Sequence, residues 1–362
     1  MSSQIGNTIK VSVFGESHGP AIGMVLDAPP PGIAIDFDYL VTQLARRAPG
    51  RAPTATPRRE SDQPEFLSGV KDGVTTGAPL TAIIRNQNTR SRDYSELEQK
   101  PRPSHADYAA FVRYGGFNDV AGGGHFSGRL TAPLVVAGSV LRIYLREKGI
   151  EIGGHICQIG TVRDRLFEPV SVDPALLKAL SANDFSVLDA SCAEAMKAEI
   201  AAAAADRDSV GGAVEIAVTG LAAGLGSPMF DGVENRIAQA VYGIPAVKGL
   251  EFGDGFALCA KRGSEANDPM RYENGKVVCK SNHNGGITGG ITNSMPVVFR
   301  VAIKPTPSIS KPQQTVNLKS QTNEELVIHG RHDPCIVPRA LPAIEAVTAI
   351  AVANLLSEGL NR

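Results

Sequence analysis

Two glycine-rich segments carry side chains that can transfer protons or bind anions. The first, residues 15–19, has the sequence Gly-Glu-Ser-His-Gly at the end of a predicted strand. Its glycines allow a sharp turn that exposes Ser17 and His18, and histidine titrates near neutral pH. His18 is therefore a candidate general acid or base. Taken alone, the segment fits an ordinary turn with a solvated histidine better.

The second glycine-rich segment, residues 122–129, leads directly into a long predicted helix. It contains three glycines followed by His125, Phe126, Ser127 and Arg129. Free N–H groups at the start of a helix, glycines that admit a ligand and a nearby arginine together favour an anion site. A flexible hinge in which Ser127 caps the helix is the alternative interpretation.

Residues 281–290 form a third glycine cluster, which precedes a predicted strand and the segment from Lys304 to Ser308. Paired glycines leave room for a flat ring or a phosphate tail, whereas a bulge or close strand packing explains them equally well. Arg331 and Asp333 precede the last predicted helix. An acid beside an arginine at that position is ordinarily a salt bridge or a helix-start charge.

The end of the first predicted helix and the proline-containing loop that follows it are rich in arginine. The arginines are Arg46, Arg47, Arg51, Arg58 and Arg59. A solvated charged loop is the default interpretation, and nucleic-acid binding is the next. However, 36 Lys and Arg residues face 37 Asp and Glu residues in the whole chain, and residues 46–64 contain no aromatic side chain. Base stacking is therefore not supported, and a small phosphorylated or carboxylated substrate fits the loop better.

The composition predicts a folded protein of the cytoplasm. Apolar residues make up 43 % of the 362 residues, which suffices for a sizeable core. The five cysteines are scattered and form no C-x-x-C pair, so neither a disulfide framework nor a metal site is predicted. We find no signal sequence and no continuous apolar run long enough to span a membrane. The usual glycine motifs of dinucleotide and nucleoside triphosphate sites are also absent.

Apolar spacing predicts an α+β fold with layers of sheet and helix, because strands and helices do not alternate regularly. Strands are predicted over residues 8–14, 21–26, 66–70, 80–85, 213–221, 249–261 and 297–303. Helices are predicted over residues 33–47, 104–113, 127–148, 189–206, 230–242 and 339–356, with Ser104 and Ser127 as N-caps of the second and third. We expect a single domain over residues 1–362, and a similar order of elements in two parts of the chain leaves an internal duplication open.

These segments, in this order and at this spacing, resemble the chorismate synthase family. The resemblance rests on residues 15–19, the segment that ends at Arg129, and the sequence Arg-His-Asp-Pro-Cys at residues 331–335. Further matches are residues 58–60, 105–108, 281–283 and 304–306, and together they cover the chain from residue 7 to about 356.

The resemblance implies a layered β-α-β sandwich with antiparallel sheets and a homotetramer. It implies an anti-1,4-elimination of phosphate from 5-enolpyruvylshikimate 3-phosphate, which gives chorismate in the last step of the shikimate pathway. The family requires reduced FMN although the reaction has no net redox change. Whether NADPH serves as the reductant stays open, because no nicotinamide motif is recognisable.

The resemblance also assigns site residues. His18 would protonate the leaving phosphate, His105 would stabilise the anionic reduced flavin, and Asp333 would keep N5 of the flavin able to accept a proton. Ser17 and Ser127 would orient the relay. The positions that match flavin contacts are His125, Phe126, Ser127, Gly289, Lys304, Pro305, Thr306, Pro307, Ser308 and Arg331. Substrate or NADP contacts fall on Arg47, Arg51, Arg129 and Arg331.

The chain departs from the family pattern at three places. Many members have Arg-Ser-Ser-Ala-Arg where residues 125–129 are His-Phe-Ser-Gly-Arg. A family arginine aligns with Pro53, for which Arg51 is the candidate substitute, and an Asn-Ala flavin contact is replaced by Pro245-Ala246. Other hypotheses are a non-catalytic flavin- or phosphate-binding protein, a nucleic-acid-binding module and an enolpyruvyl transferase that needs no flavin.

Overall fold

The computed structural model describes residues 3–48, 62–86, 98–328 and 333–359. Within these residues the strands are β1 Gln4–Ile5, β2 Lys10–Gly15, β3 Ala21–Asp27, β4 Glu65–Ser68, β5 Val70–Lys71, β6 Val74–Thr75, β7 Leu80–Arg85, β8 Glu151–Ile159, β9 Val162–Arg163, β10 Gly212–Thr219, β11 Val247–Phe252, β12 Met270–Glu273, β13 Lys276–Cys279, β14 Ile287–Thr288, β15 Ile291–Thr292, β16 Val297–Ile303, β17 Gln313–Asn317 and β18 Thr322–Leu326. The helices are α1 Phe37–Arg47, α2 Asp107–Tyr114, α3 Thr131–Glu147, α4 Pro174–Leu180, α5 Ala190–Ala205, α6 Val233–Tyr242, α7 Gly263–Ala266 and α8 Val337–Gly359.

The first large sheet has the antiparallel strand order β1-β2-β3-β7-β4. Its central register pairs Ile22 with Ile84 and Leu26 with Leu80, and all four side chains are buried. The alternation along β3 and β7 turns these residues to one face, which packs on the helices. The predicted strands at residues 21–26 and 80–85 are thereby confirmed.

The second large sheet has the antiparallel order β11-β16-β10-β8-β9. Nearly every residue of β8 is buried, because α8 packs on one face and α4 on the other. This strand lacks an alternating pattern for that reason, and sequence analysis missed it. The strand predicted over residues 249–261 is too long, since β11 ends at Phe252 and Gly255–Ala260 is a 3₁₀ segment.

A layer of helices lies between the two sheets. Helix α3 contacts β2, β3 and β7 of the first sheet, and α8 contacts β8 and β10 of the second. The two helices cross closely at Gly138, where a Cβ atom would lie 2.4 Å from the Cα atom of Ala346. The α+β prediction and the expected β-α-β layering are confirmed, whereas a single domain with an internal duplication stays a prediction.

A buried ionic cluster joins the helices of this layer. Glu345 of α8 is fully buried and accepts hydrogen bonds from Arg46 of α1 at 2.6 Å and from Arg142 of α3 at 3.0 Å. Burial alone would raise the pKa of Glu345, but the two guanidinium groups lower it on balance. The cluster therefore links α1, α3 and α8 through buried charges.

Of the two predicted N-cap residues, one is confirmed and the other is wrong. Ser127 accepts a hydrogen bond from the N–H of Arg129, and a short 3₁₀ segment then continues into α3, as predicted. The predicted cap Ser104 is wrong, because α2 begins at Asp107 and the φ of Ser104 is +60°.

Two helical segments, Gly128–Glu147 and Val337–Gly359, are long and apolar enough to cross a membrane by length and composition. The apolar windows of these segments are 78 % and 89 % buried inside the protein. Burial of this extent is typical of core helices, and it accounts for their hydropathy without a membrane.

Candidate active site

A cavity of about 970 Å³ opens where several elements of the helix layer end. Its wall includes Arg47 at the C-terminal end of α1, Leu130 and Thr131 at the start of α3, and Ile336 beside the start of α8. The N-terminal ends of α3 and α8 carry partial positive charge. The cavity is therefore suited electrostatically to an anionic ligand.

The glycine-rich turn at residues 122–124 forms a partition beside this cavity. All three glycines have positive φ, which residues with a Cβ atom rarely adopt. A Cβ atom on Gly122 would lie 2.7 Å from the imidazole of His18 and 2.9 Å from Oγ of Ser17. On the adjacent glycine, Gly123, it would lie 3.4 Å from Nε2 of His105. The turn thus brings the two predicted catalytic histidines to either side of a bare backbone.

His105 is held by a buried ionic cluster. Its Nδ1 lies 2.5 Å from Oδ1 of Asp107, and Arg102 donates to the same carboxylate from Nε at 2.7 Å and from Nη2 at 2.8 Å. Burial would raise the pKa of Asp107, but the hydrogen bonds from Arg102 and His105 lower it far below its usual range. The carboxylate stays ionised and orients the ring, with Nε2 toward the glycine turn.

The predicted anion-binding arginines share a buried carboxylate. Asp62 accepts from Nη1 of Arg47 at 2.8 Å and also from Nη1 of Arg129. Arg47 additionally donates from Nε to Oγ1 of Thr131 at 3.1 Å and from Nη2 to the carbonyl of Gly128 at 3.1 Å. Burial lowers the pKa of Arg47 to about 10 despite the opposing effect of Asp62. Both arginines line the cavity.

Arg339 connects the predicted proton-relay residue to the arginine wall. It donates from Nη1 to Oδ2 of Asp333 and from Nε to the carbonyl of Arg47 at 2.9 Å. Both Asp333 and Arg339 line the cavity. The start of α8 is thereby joined to the end of α1 directly at the site.

The segment predicted to contact flavin forms another wall. Lys304, Thr306, Pro307 and Ser308 all line the cavity, and Ser308 accepts from Nη1 of Arg102 at 3.3 Å. Lys304 donates from Nζ to the carbonyl of Ser104. Burial and the nearby Lys248 lower the pKa of Lys304.

His125, Phe126 and Ser127 line the cavity as predicted. Both ring nitrogens of His125 are engaged within the protein, with Nδ1 2.8 Å from the carbonyl of Gly15 and Nε2 2.6 Å from Oγ of Ser3. Because Nδ1–H donates to the carbonyl, the ring ties β1 and β2 to the glycine-rich turn. What His125 offers the cavity is therefore a ring surface.

Several predicted residues stand apart from the cavity wall. Ser17 and His18 lie behind the glycine turn, and Pro305 is exposed beside Thr306. Gly289 lies in the exposed hairpin between β14 and β15 and is not among the lining residues. Arg51 and Arg331 lie outside the described residues.

Sequence analysis missed the residues that support the predicted ones, namely Asp62, Asn86, Arg102, Asp107 and Arg339. Asn86 donates to the carbonyls of Glu16 and Gly19 and accepts from Nε of Arg129 at 3.1 Å, so it joins the histidine turn to the arginine wall. In the sequence, Asp107 falls within the matched residues 105–108. Its position two residues after His105 was the one available sign of a carboxylate–histidine pair.

Known proteins share both the sequence and the fold of this chain. The family model described as chorismate synthase matches residues 9–356. The chain belongs to the chorismate synthase family. A chorismate synthase of Dehalococcoides mccartyi strain BAV1 is 44 % identical over 355 residues, which is 98 % of this chain and 96 % of that protein. One from Aeropyrum pernix is 46 % identical over 97 % of this chain and 92 % of its own length.

A solved structure titled "Crystal Structure of Chorismate Synthase" superposes with a TM-score of 0.77 at 28 % identity. It covers 98 % of this chain and 93 % of that chain. Membership of the chorismate synthase family makes the protein an enzyme, and the 970 Å³ cavity is its candidate active site.

Proposed function

We propose that this enzyme eliminates phosphate from 5-enolpyruvylshikimate 3-phosphate in an anti-1,4 sense and releases chorismate, as a carbon–oxygen lyase. The observation that carries the proposal is one cavity lined by His105 and by a wall of buried arginines, with His18 behind the adjoining glycine turn. The arginines match a substrate with a phosphate and two carboxylates. The histidines match the proton transfer that its departure requires.

His18 would donate a proton to the leaving phosphate, and Asp333 would keep N5 of the flavin able to accept the proton lost from the substrate. Ser17 and Ser127 would orient the relay. Arg47 and Arg129 would bind the anionic groups of the substrate. In a cavity that excludes water, such fixed charges stabilise the departing phosphate by several kcal/mol. Arg51 and Arg331 complete the proposed set of substrate and flavin contacts by resemblance.

Reduced FMN is the proposed cofactor, and the residues present fit a flavin. The hydroxyl of Thr306 is buried against the cavity and has no hydrogen-bond partner among the described residues. Gly122 lines the cavity and has no side chain of its own, so that a flat ring can approach its backbone. When bound, a reduced flavin supplies electron density to the carbon framework as phosphate departs. His105, held at Nδ1 by Asp107, would offer Nε2 to it.

His125, Phe126, Ser127 and the segment from Lys304 to Ser308 would hold the flavin, and Gly289 would join them from its hairpin. We further propose NADPH as a source of reducing equivalents, a homotetrameric assembly and a place in the cytoplasm.

An anaerobic assay of phosphate release and chorismate absorbance tests the proposal. With substrate and oxidised FMN, no chorismate should form. Dithionite added to the sealed cuvette should start turnover, with no net consumption of flavin per product. Steady product formation before dithionite, in a preparation free of reductase, would contradict the flavin chemistry.

The same assay separates the alternatives. A protein that binds FMN and phosphate but releases no phosphate under any condition would be the non-catalytic binding protein. In the same phosphate assay, flavin-independent release of phosphate from shikimate 3-phosphate and phosphoenolpyruvate would indicate a transferase instead.

A further inference from the structure

Asp62 is a buried carboxylate placed behind the arginine wall of the cavity. It is 3 % exposed, and it is not among the residues that line the cavity. Its two oxygens accept from Nη1 of Arg47 and Nη1 of Arg129, so each guanidinium is paired on the side away from the cavity. Burial would raise the pKa of Asp62, but Arg47 and Arg129 lower it on balance, so it is ionised at neutral pH.

Asp62, Arg47 and Arg129 form a cluster whose net charge is lower than that of the two arginines alone. The other hydrogen bonds of Arg47 go to neutral oxygens, those of Thr131 and Gly128. Arg129 donates from Nε to the neutral amide of Asn86. Within the described residues, the two guanidinium charges and the one carboxylate of Asp62 add up to one positive charge. In a site that excludes water, one unit of charge changes the binding of an anion strongly.

We propose that Asp62 is a positioning residue that limits the affinity of Arg47 and Arg129 for phosphate. It fixes both guanidinium groups and cancels one of their charges, so that the phosphate formed in the reaction can leave. This inference rests on the proposed function, in which phosphate is a product. A phosphate group carries about two negative charges near neutral pH, and the two arginines would retain it more strongly without the negative charge of Asp62.

The test measures binding of inorganic phosphate to the flavin-free protein by calorimetric titration and by the rise in Tm on adding phosphate. Asp62→Asn should bind phosphate at least about tenfold more tightly than wild type, since it raises the charge of the cluster by one. Its Tm should be lower without phosphate and should rise more when phosphate is added, because the anion replaces the lost charge partner.

Asp164→Asn is the matched control. Asp164 is also a buried aspartate beside a basic side chain, with Oδ2 3.4 Å from Nδ1 of His155 in the second sheet. Its substitution should lower the Tm without changing the dissociation constant of phosphate. A general effect of losing a buried carboxylate would instead change both variants alike.

A second comparison stands even if Asp62→Asn alone does not fold. Arg129→Gln removes one positive charge and should bind phosphate about tenfold more weakly than wild type. Adding Asp62→Asn to Arg129→Gln restores the net charge of the cluster, and phosphate affinity should return to within about threefold of wild type. A purely structural role for Asp62 predicts the opposite, a double variant that binds no better than Arg129→Gln.

Unchanged or weaker phosphate binding on removal of the Asp62 charge, in both backgrounds, would overturn the inference. The proposed function is judged separately, by chorismate formation in the wild-type protein. If the wild-type enzyme forms chorismate but the Asp62 variants keep the wild-type phosphate affinity, only the proposed role of Asp62 is refuted. The proposed function then stands.

Discussion

Replacing Gly122 by alanine tests whether the bare glycine turn sets the position of His18. The added Cβ atom would lie 2.7 Å from the ring of His18, whereas ordinary contacts begin near 3.4 Å, so the ring must move by about 0.7 Å. A displacement of that size at a reacting group lowers turnover by about ten- to hundredfold. The φ of +61° adds backbone strain of about 1–2 kcal/mol, which an enzyme with this core should tolerate.

The assay compares the initial rate of chorismate formation with reduced FMN and the Tm of the same preparations. Gly128→Ala is the matched control in the same segment. A Cβ atom on Gly128 meets no heavy atom within 4 Å. We expect Gly128→Ala to retain a rate within about twofold of wild type.

Two results would refute this reasoning. A folded Gly122→Ala protein with the wild-type rate would show that His18 does not need its observed position. An equal loss of rate in Gly128→Ala would show that the segment is sensitive to any added methyl group, whatever lies beside it.

Three further predictions concern charge. His18→Ala and Asp333→Asn should each lower turnover by about two to four orders of magnitude with the fold intact, as circular dichroism can verify, and normal turnover would remove that residue from the mechanism. Glu345→Gln leaves the buried Arg46 without its carboxylate and leaves Arg142 only Glu151, at 3.7 Å. It should lower the free energy of unfolding by about 3–5 kcal/mol in urea titrations, and a loss below about 1 kcal/mol would contradict it. The depressed pKa of Asp107 contributes stability that is complete above the usual carboxyl range near pH 4 and is lost as the pH falls below it. Asp107→Asn should therefore flatten the decline of unfolding free energy between about pH 5 and pH 3, and an unchanged slope would count against the ionic cluster.

Much of the fold follows from local pattern. The apolar alternation of β3 and the helical spacing of α1 each reflect burial of one face, which a single sequence records. The capping role of Ser127 was predictable because the hydrogen bond it makes is local. Strand β8 was not, because burial on both faces erases the alternation on which prediction depends.

The residues of the site likewise include some that local sequence predicts and some that it does not. Glycine motifs marked His18 and the segment at residues 122–129, since the backbone there needs glycine whatever surrounds it. Asp62 and Arg339 escaped notice because a lone charge has no periodicity, and its partners are distant in the chain. The carbonyl that Arg339 binds is 292 residues away. Such contacts exist only once the helix layer has assembled.

The crossing of α3 and α8 at Gly138 has a consequence far from where the helices meet. One helix begins just after Arg129 and the other just after Asp333, so each carries one side of the cavity. The two helices pack so closely at Gly138 that no methyl group fits between them. A methyl group at residue 138 would push the two helices apart and separate the ends that line the cavity. The absence of a side chain at Gly138, in the middle of the core, therefore helps to set the width of the cavity.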